Sequence, residues 1–249
     1  VMLHYDEYGS PNHPTILLLP GAGALDTFNQ QYVFADSYRL LVLHLPGSGE
    51  ASGVVYDPHK TTQELFELIQ SLHQKVGVIG HSLGAQIAVR LVSEHPEFFH
   101  FAIFLSAWVK PNPQTIKGLC ALAKISAKML HWQGLVRLQG WYWHYTSQQA
   151  RTMADDSKRI SAKVYRSFFV HTLDLSSLPA YSTVNIPMLA LCGSREIKAM
   201  KESLALLAEN PHCRTIQLRG VNHDFPMRHA QTLNPLLRQF IAENLKLKI

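Results

Sequence analysis

The stretch Val76-Gly77-Val78-Ile79-Gly80-His81-Ser82-Leu83-Gly84-Ala85 decides how the chain is read. Its first half is a β-branched apolar run, the composition of a buried strand. Its second half opens a segment in which Ile87, Ala88, Leu91 and Val92 share one side at helical spacing, closed by His95-Pro96. Between them, Gly80-His81-Ser82-Leu83-Gly84 spells G-x-S-x-G at a strand-to-helix turn. A side chain at so sharp a turn takes strained backbone angles, so the Ser82 hydroxyl is expected to project above the sheet. Close packing there leaves no room for a Cβ at Gly80 or Gly84. The helix start turns free N–H groups and its positive dipole end toward the place where an oxyanion would form. An idle serine on a glycine-bounded turn is the plain alternative. His81 is expected to point away and to serve packing.

Outward from this turn, short apolar runs at 16–19, 40–44, 76–80, 101–106, 188–192 and 215–218 read as buried strands. Segments 61–72, 83–94, 198–208 and 230–245 read as helices. Near-continuous apolar strands alternating with amphipathic helices imply an α/β fold: a doubly wound, mostly parallel sheet covered on both faces. Residues 110–181 break the rhythm, being helical in character without a strand run. They are expected to form a cap inserted between two strands, with the core built from residues 1–109 and 182–249.

The 249 residues are 47% hydrophobic and 16% charged, which excludes a disordered, collagen-like or coiled-coil chain. A chain of this size buries about three quarters of its surface on folding and needs no disulfide or metal staple. No apolar stretch is long enough to span a bilayer, and no secretory signal is visible at the N-terminus, so the expected location is cytoplasmic. Cys120, Cys192 and Cys213 are an odd count without ligand spacing, read as small hydrophobes in a reducing compartment. The net charge of +5 is unevenly spread: residues 110–172 carry +8 and the remainder −3.

A serine hydroxyl needs a base. His223, in Gly220-Val221-Asn222-His223-Asp224-Phe225, lies in a loop after the last strand run, where α/β sheets collect their sites. The base needs an acid to fix its tautomer. Glu196 follows the 188–192 strand in Gly193-Ser194-Arg195-Glu196, giving the chain order serine, acid, histidine; the alternative is a helix-start charge. Asp224, adjacent to His223, and Asp174, in the cap, are lesser candidates. The oxyanion donors would be the N–H of Leu83 and that of Ala22, in Pro20-Gly21-Ala22-Gly23-Ala24. That loop is not a dinucleotide fingerprint, because Asp26 stands where the third glycine belongs.

With Ser82, Glu196 and His223 in this order, the chain resembles the α/β-hydrolase-fold serine hydrolases of the esterase and lipase superfamily over essentially its whole length. Gly80-His81-Ser82-Leu83-Gly84 matches the family's elbow, and Leu45-Pro46-Gly47-Ser48-Gly49 resembles its D-x-P-G-x-G loop with His44 in place of Asp. Two further departures are Pro20-Gly21 where the family has His-Gly, and Glu196 where it usually has Asp. The resemblance implies a two-step acyl transfer: Ser82 attacks a carbonyl, His223 shuttles the proton, and the Ala22 and Leu83 amides hold the oxyanion. A serine nucleophile argues against dehalogenase or epoxide-hydrolase chemistry. No cofactor or metal is implied.

The expected substrate is a small or medium apolar carboxylic ester, with a thioesterase, a lactonase, a lyase or a non-catalytic ligand-binding homologue as alternatives. Trp108, Trp132, Trp141, Tyr142, Trp143 and Tyr145 could line an acyl pocket or form the cap's own core. Lys117, Lys124 and Lys128 fall on one face if 115–130 is a single helix. A solvated stripe is the ordinary reading of them, and attraction of anionic substrates or a lipid surface the alternative. Nucleic-acid binding has no supporting motif.

Overall fold

The computed structural model describes residues 3–245. Its centre is a seven-stranded sheet in the order β1-β3-β2-β4-β5-β6-β7. The strands are β1 (Tyr5–Tyr8), β2 (Thr15–Leu19), β3 (Arg39–Leu43), β4 (Val76–His81), β5 (Phe99–Leu105), β6 (Met188–Gly193) and β7 (Cys213–Leu218). All neighbours are parallel except β1, which runs antiparallel to β3. The six expected strands are present within one or two residues.

β1 has no counterpart in the sequence reading. Its residues, Tyr5-Asp6-Glu7-Tyr8, are partly exposed and lack an apolar run. An edge strand of a sheet can be held by main-chain pairing and one covered face, which leaves little hydrophobic signal.

The inner strands show why their apolar runs are continuous. Successive side chains point to opposite faces, and both faces are buried. Leu17, Leu19, Val78, Ala102 and Phe104 enter the core on one side, against Leu65 and Ile69 of α1 (Pro58–Ser71) and the apolar face of α2 (Leu83–Glu94). Ile16, Leu18, Ile79, Phe101 and Ile103 enter the other, against Leu233, Leu237, Phe240 and Ile241. Burying each large side chain contributes about 1.5–3 kcal/mol.

Five helices fill the stretch between β5 and β6: α3 (Pro113–Ala121), α4 (Ala123–Leu130), α5 (Gln133–Tyr142), α6 (Ser147–Ser157) and α7 (Ala162–Val170). After β6 come α8 (Lys198–Leu207), α9 (Phe225–Arg228) and α10 (Ala230–Leu245). The single helix expected over 115–130 is instead two, α3 and α4, meeting at Leu122, where the backbone sits at φ −83° and ψ −4°. Asn112 caps α3 by accepting the Thr115 N–H at 3.0 Å. Lys117 therefore stands on a different helix from Lys124 and Lys128, and the three do not form one helical stripe.

Candidate active site

The site stands at the carboxyl ends of four adjacent parallel strands, where a doubly wound sheet leaves its loops free to carry function. Ser82 follows β4. Its backbone sits at φ 53° and ψ −114°, outside the ordinary regions for an L-residue. The strain is held in place from both sides. The Ser82 N–H donates to the Leu105 carbonyl at 2.9 Å, extending the ladder past the strand end. A Cβ on Gly84 would lie 2.0 Å from the Leu19 carbonyl oxygen, and one on Gly80 would lie 2.4 Å from that of Gly84, so both positions require glycine.

Glu196 follows β6, with 2% of its side chain exposed. Its Oε2 is 2.7 Å from His223 Nδ1, and its Oε1 accepts the Ser106 hydroxyl at 2.7 Å and the Gly193 N–H at 2.6 Å. Burial alone would raise the pKa of this carboxyl. The hydrogen bond and charge of His223, then Gly193 and Ser106, outweigh burial and hold the pKa below the ordinary value. A buried carboxylate is thus kept ionised against one nitrogen of the imidazole, which fixes Nδ1 as the protonated one and leaves Nε2 to accept.

Ser82, Glu196 and His223 stand in the loops after β4, β6 and β7. Ser82 and His223 line the same cavity. Among the described residues the Ser82 hydroxyl makes no hydrogen bond; such contacts commonly tighten only with substrate bound. Asp224 also faces the cavity, but Glu196 holds the His223 ring. Asp174 is taken up in capping a short turn, accepting the Ser176 N–H at 3.0 Å.

The two expected oxyanion donors border the same cavity. Leu83 is the first residue of α2, so its N–H has no acceptor within the helix. The Ala22 loop, with Pro20-Gly21 in place of His-Gly, is braced by Thr27. The Thr27 hydroxyl accepts the Gly21 N–H at 3.1 Å and donates to the Ala24 carbonyl at 2.6 Å. In the second loop, His44 Nδ1 accepts the Glu50 N–H at 3.0 Å and so braces the turn from the position where the D-x-P-G-x-G pattern has Asp.

His81 differs from expectation. It does not point away: its ring lies 4.8 Å from that of His223, and its Nε2 donates to the His223 carbonyl at 2.9 Å. Burial, and then the neighbouring His223, push its pKa down to about 3, so the ring is neutral and its one N–H is spent on that carbonyl. Its role is to hold the His223 loop. Sequence reasoning missed this bond and the Ser106 support, because both join residues remote in the chain.

The cavity holds about 580 Å³. Trp108, Leu119, Phe168, Phe169, Ile197, Met200 and Met227 give it apolar walls. The Trp108 indole N–H is satisfied by the Lys110 carbonyl at 2.9 Å, so its ring serves the wall as an apolar surface. Gln86, one turn beyond Ser82, also faces in; its Oε1 accepts the Leu173 N–H at 2.7 Å, which ties α2 to the chain leaving α7. Of the aromatic set, Tyr142 and Trp143 line the cavity and Tyr145 is buried within the helical layer. Trp132 and Trp141 do neither and are largely exposed. No group of His, Cys, Asp and Glu among the described residues is placed to hold a metal ion.

The model of the alpha/beta hydrolase family matches residues 16–236. The chain belongs to that family. Among curated relatives, a protein of Pseudomonas syringae named "Putative carbamate hydrolase RutD" is 28% identical over 118 residues, covering 45% of this chain and 46% of its own. The chain thus spans about half the length of that relative. A protein of the same name from Escherichia coli is 21% identical over 247 residues, covering 92% of this chain and 87% of its own. Among solved structures, one from work on carboxylesterases of Nitrososphaera gargenis superposes with a TM-score of 0.77 at 15% identity, covering 98% and 95% of the two chains. The enol-lactonase of Burkholderia xenovorans superposes at 0.72 with 16% identity, covering 96% of each. At such identities these structures share the fold and nothing finer. The family and its relatives make this α/β-hydrolase chain a member of a hydrolase lineage.

Proposed function

We propose that this member of the alpha/beta hydrolase family is a serine hydrolase acting on a small or medium apolar carboxylic ester, with residues 110–181 as the cap over its site. Ser82 is the nucleophile, His223 the base, Glu196 the acid that orients it, and the Ala22 and Leu83 N–H groups the oxyanion donors. The observation that carries this reading is the 2.7 Å contact of the buried Glu196 carboxylate with His223 Nδ1, on a ring that shares its cavity with Ser82. The Ser82 oxygen attacks the ester carbonyl as its proton passes to His223 Nε2. The alkoxide leaves with that proton, giving an acyl-Ser82. Water, deprotonated by the same nitrogen, attacks the acyl carbon and releases the acid. The apolar walls favour an acyl or alcohol group without charge. The three unpaired thiols fit a cytoplasmic setting.

The test is a panel of p-nitrophenyl esters of graded chain length, with a p-nitrophenyl carbamate added because of the name its relatives carry. Turnover should peak at a short or medium acyl chain and vanish in Ser82→Ala. A fluorophosphonate should add covalently at Ser82, which a lyase-type or non-catalytic site would not require for its function. No turnover of any ester or carbamate, together with no adduct, would overturn the reading.

A further inference from the structure

The helical layer carries an exposed apolar face that the cavity does not use. Leu122 at the start of α4 and Ile125 and Met129 within it recur at the three- and four-residue spacing of one helical side, and they are 53%, 60% and 53% exposed. Two residues, His131 and Trp132, separate α4 from α5. Trp132 at its cap and Leu138 and Trp141 along it are 68%, 59% and 72% exposed. No comparable run of large apolar side chains stands in water elsewhere among the described residues. A lone exposed leucine needs no explanation, but six such side chains within twenty residues, two of them tryptophan, mark an interaction surface.

The charge around this face is of one sign. Residues 110–154 contain six Lys and Arg and no Asp or Glu. Lys117, Lys124, Lys128 and Arg137 form no ion pair among the described residues. On α4, Lys124 and Lys128 are four residues apart and run along one side of the apolar stripe, and Arg137 adjoins Leu138 on α5.

We propose that the α4–α5 face is a docking surface for an anionic lipid bilayer. Tryptophan is amphipathic and settles at the depth of the headgroups, while Lys124 and Lys128 beside the apolar stripe meet the anionic phosphates. Apolar insertion and basic attraction together supply the two signals that stable peripheral binding needs. Charge complementarity selects the bilayer over a second copy of the chain. A two-fold contact would place the same unpaired cations face to face. α5 also gives Gln139 and Tyr142 to the cavity wall, so a docked bilayer would lie against the helical wall of the cavity.

Co-sedimentation with large unilamellar vesicles tests this without reference to any hydrolysis. At low ionic strength the chain should pellet with phosphatidylcholine vesicles containing phosphatidylglycerol at least about tenfold more strongly than with pure phosphatidylcholine. Raising the salt to about 0.5 M should remove most of that preference. Lys124→Glu with Lys128→Glu should weaken binding to the anionic vesicles about tenfold or more. Trp132→Ser with Trp141→Ser should weaken it at both salt concentrations and abolish the blue shift of tryptophan emission on vesicle addition. All four side chains are exposed, and wild-type circular dichroism and melting will verify the folds; Ile125→Ser with Met129→Ser replaces a pair that fails. Absence of wild-type pelleting at low salt, or variants that bind as the wild type does, would overturn the proposal. So would a self-association seen by ultracentrifugation and lost in the tryptophan variant with no vesicle binding, which would assign the face to a second copy.

Discussion

A carboxylate sealed beneath an imidazole loses its hydration, and Glu196 offsets that loss by accepting from Ser106, Gly193 and His223 at 2.6–2.7 Å. Replacing it by glutamine keeps the shape but presents an N–H₂ group to His223. The ring would then turn its proton to Nε2, where it cannot accept from Ser82. Glu196→Gln is expected to lower kcat on a soluble ester by about 10³–10⁴. Ser106→Ala removes one neutral hydrogen bond from the same carboxylate and should cost only about tenfold. Steady-state kinetics of the two variants checks the ranking, and wild-type kcat in Glu196→Gln would place the acid elsewhere. Ser82, Glu196 and His223 were legible because each directly follows a strand run, so chain position alone brings them to one edge of the sheet. Ser106 and His81 were not. Ser106 reaches a carboxylate 90 residues away, and His81 reaches a carbonyl 142 residues away, and no local pattern encodes either pairing.

The elbow is an element in which packing overrides intrinsic preference. α2 begins so close to β2 that a methyl group on Gly84 would penetrate the Leu19 carbonyl, and neither the strand nor the helix can retreat without breaking its ladder. Gly84→Ala is expected to destabilise by about 1–3 kcal/mol or more, lowering the thermal midpoint by several degrees. The same substitution at Gly118 should act in the opposite direction. Gly118 lies inside α3 with no atom within 4 Å of a new Cβ, so alanine there only gains helix propensity, about 0.5–1 kcal/mol. Calorimetry of the two variants decides, and a fall in both would mean that the α3 site is less open than it stands here. The strand–helix alternation was readable for the same reason that the elbow is tight: both faces of the sheet are buried, so its strands are continuous apolar runs. β1 escaped because an edge strand needs no such run. The break at Leu122 escaped because alanine, lysine and leucine suit one long helix as well as two short ones.

At the scale of the whole molecule, the helical layer is fastened to the sheet partly by apolar packing and partly by buried polar ties. Val164 and Phe168 of α7 join the same cluster as α2, and the Gly49 N–H donates to Asp156 at 3.0 Å. Asp26 is the tie with a pH signature. Its Oδ1 accepts the Tyr32 hydroxyl at 3.0 Å and the Gln149 amide of α6 at 3.0 Å. Burial raises its pKa, and those two bonds only partly counter that. A group whose folded pKa lies above its unfolded value holds a proton in the native state that the unfolded chain has already released. Stability therefore falls as pH rises from the ordinary aspartate value through the folded one, and the cost persists at neutral pH. Glu196, with its lowered pKa, acts in the opposite sense: its contribution is present above the ordinary glutamate value and lost as pH falls through the folded one. Asp26→Asn keeps an oxygen to accept both bonds and removes the buried charge, while leaving Glu196 untouched. The variant should melt a few degrees above the wild type at neutral pH, at roughly 2–4 °C per kcal/mol, and the gap should close as pH approaches the ordinary aspartate range. Melting curves of both proteins across that range provide the measurement. A gap that stays constant with pH would show that the substitution acts through packing, and that the Asp26 carboxyl titrates as freely in the folded molecule as in the unfolded chain.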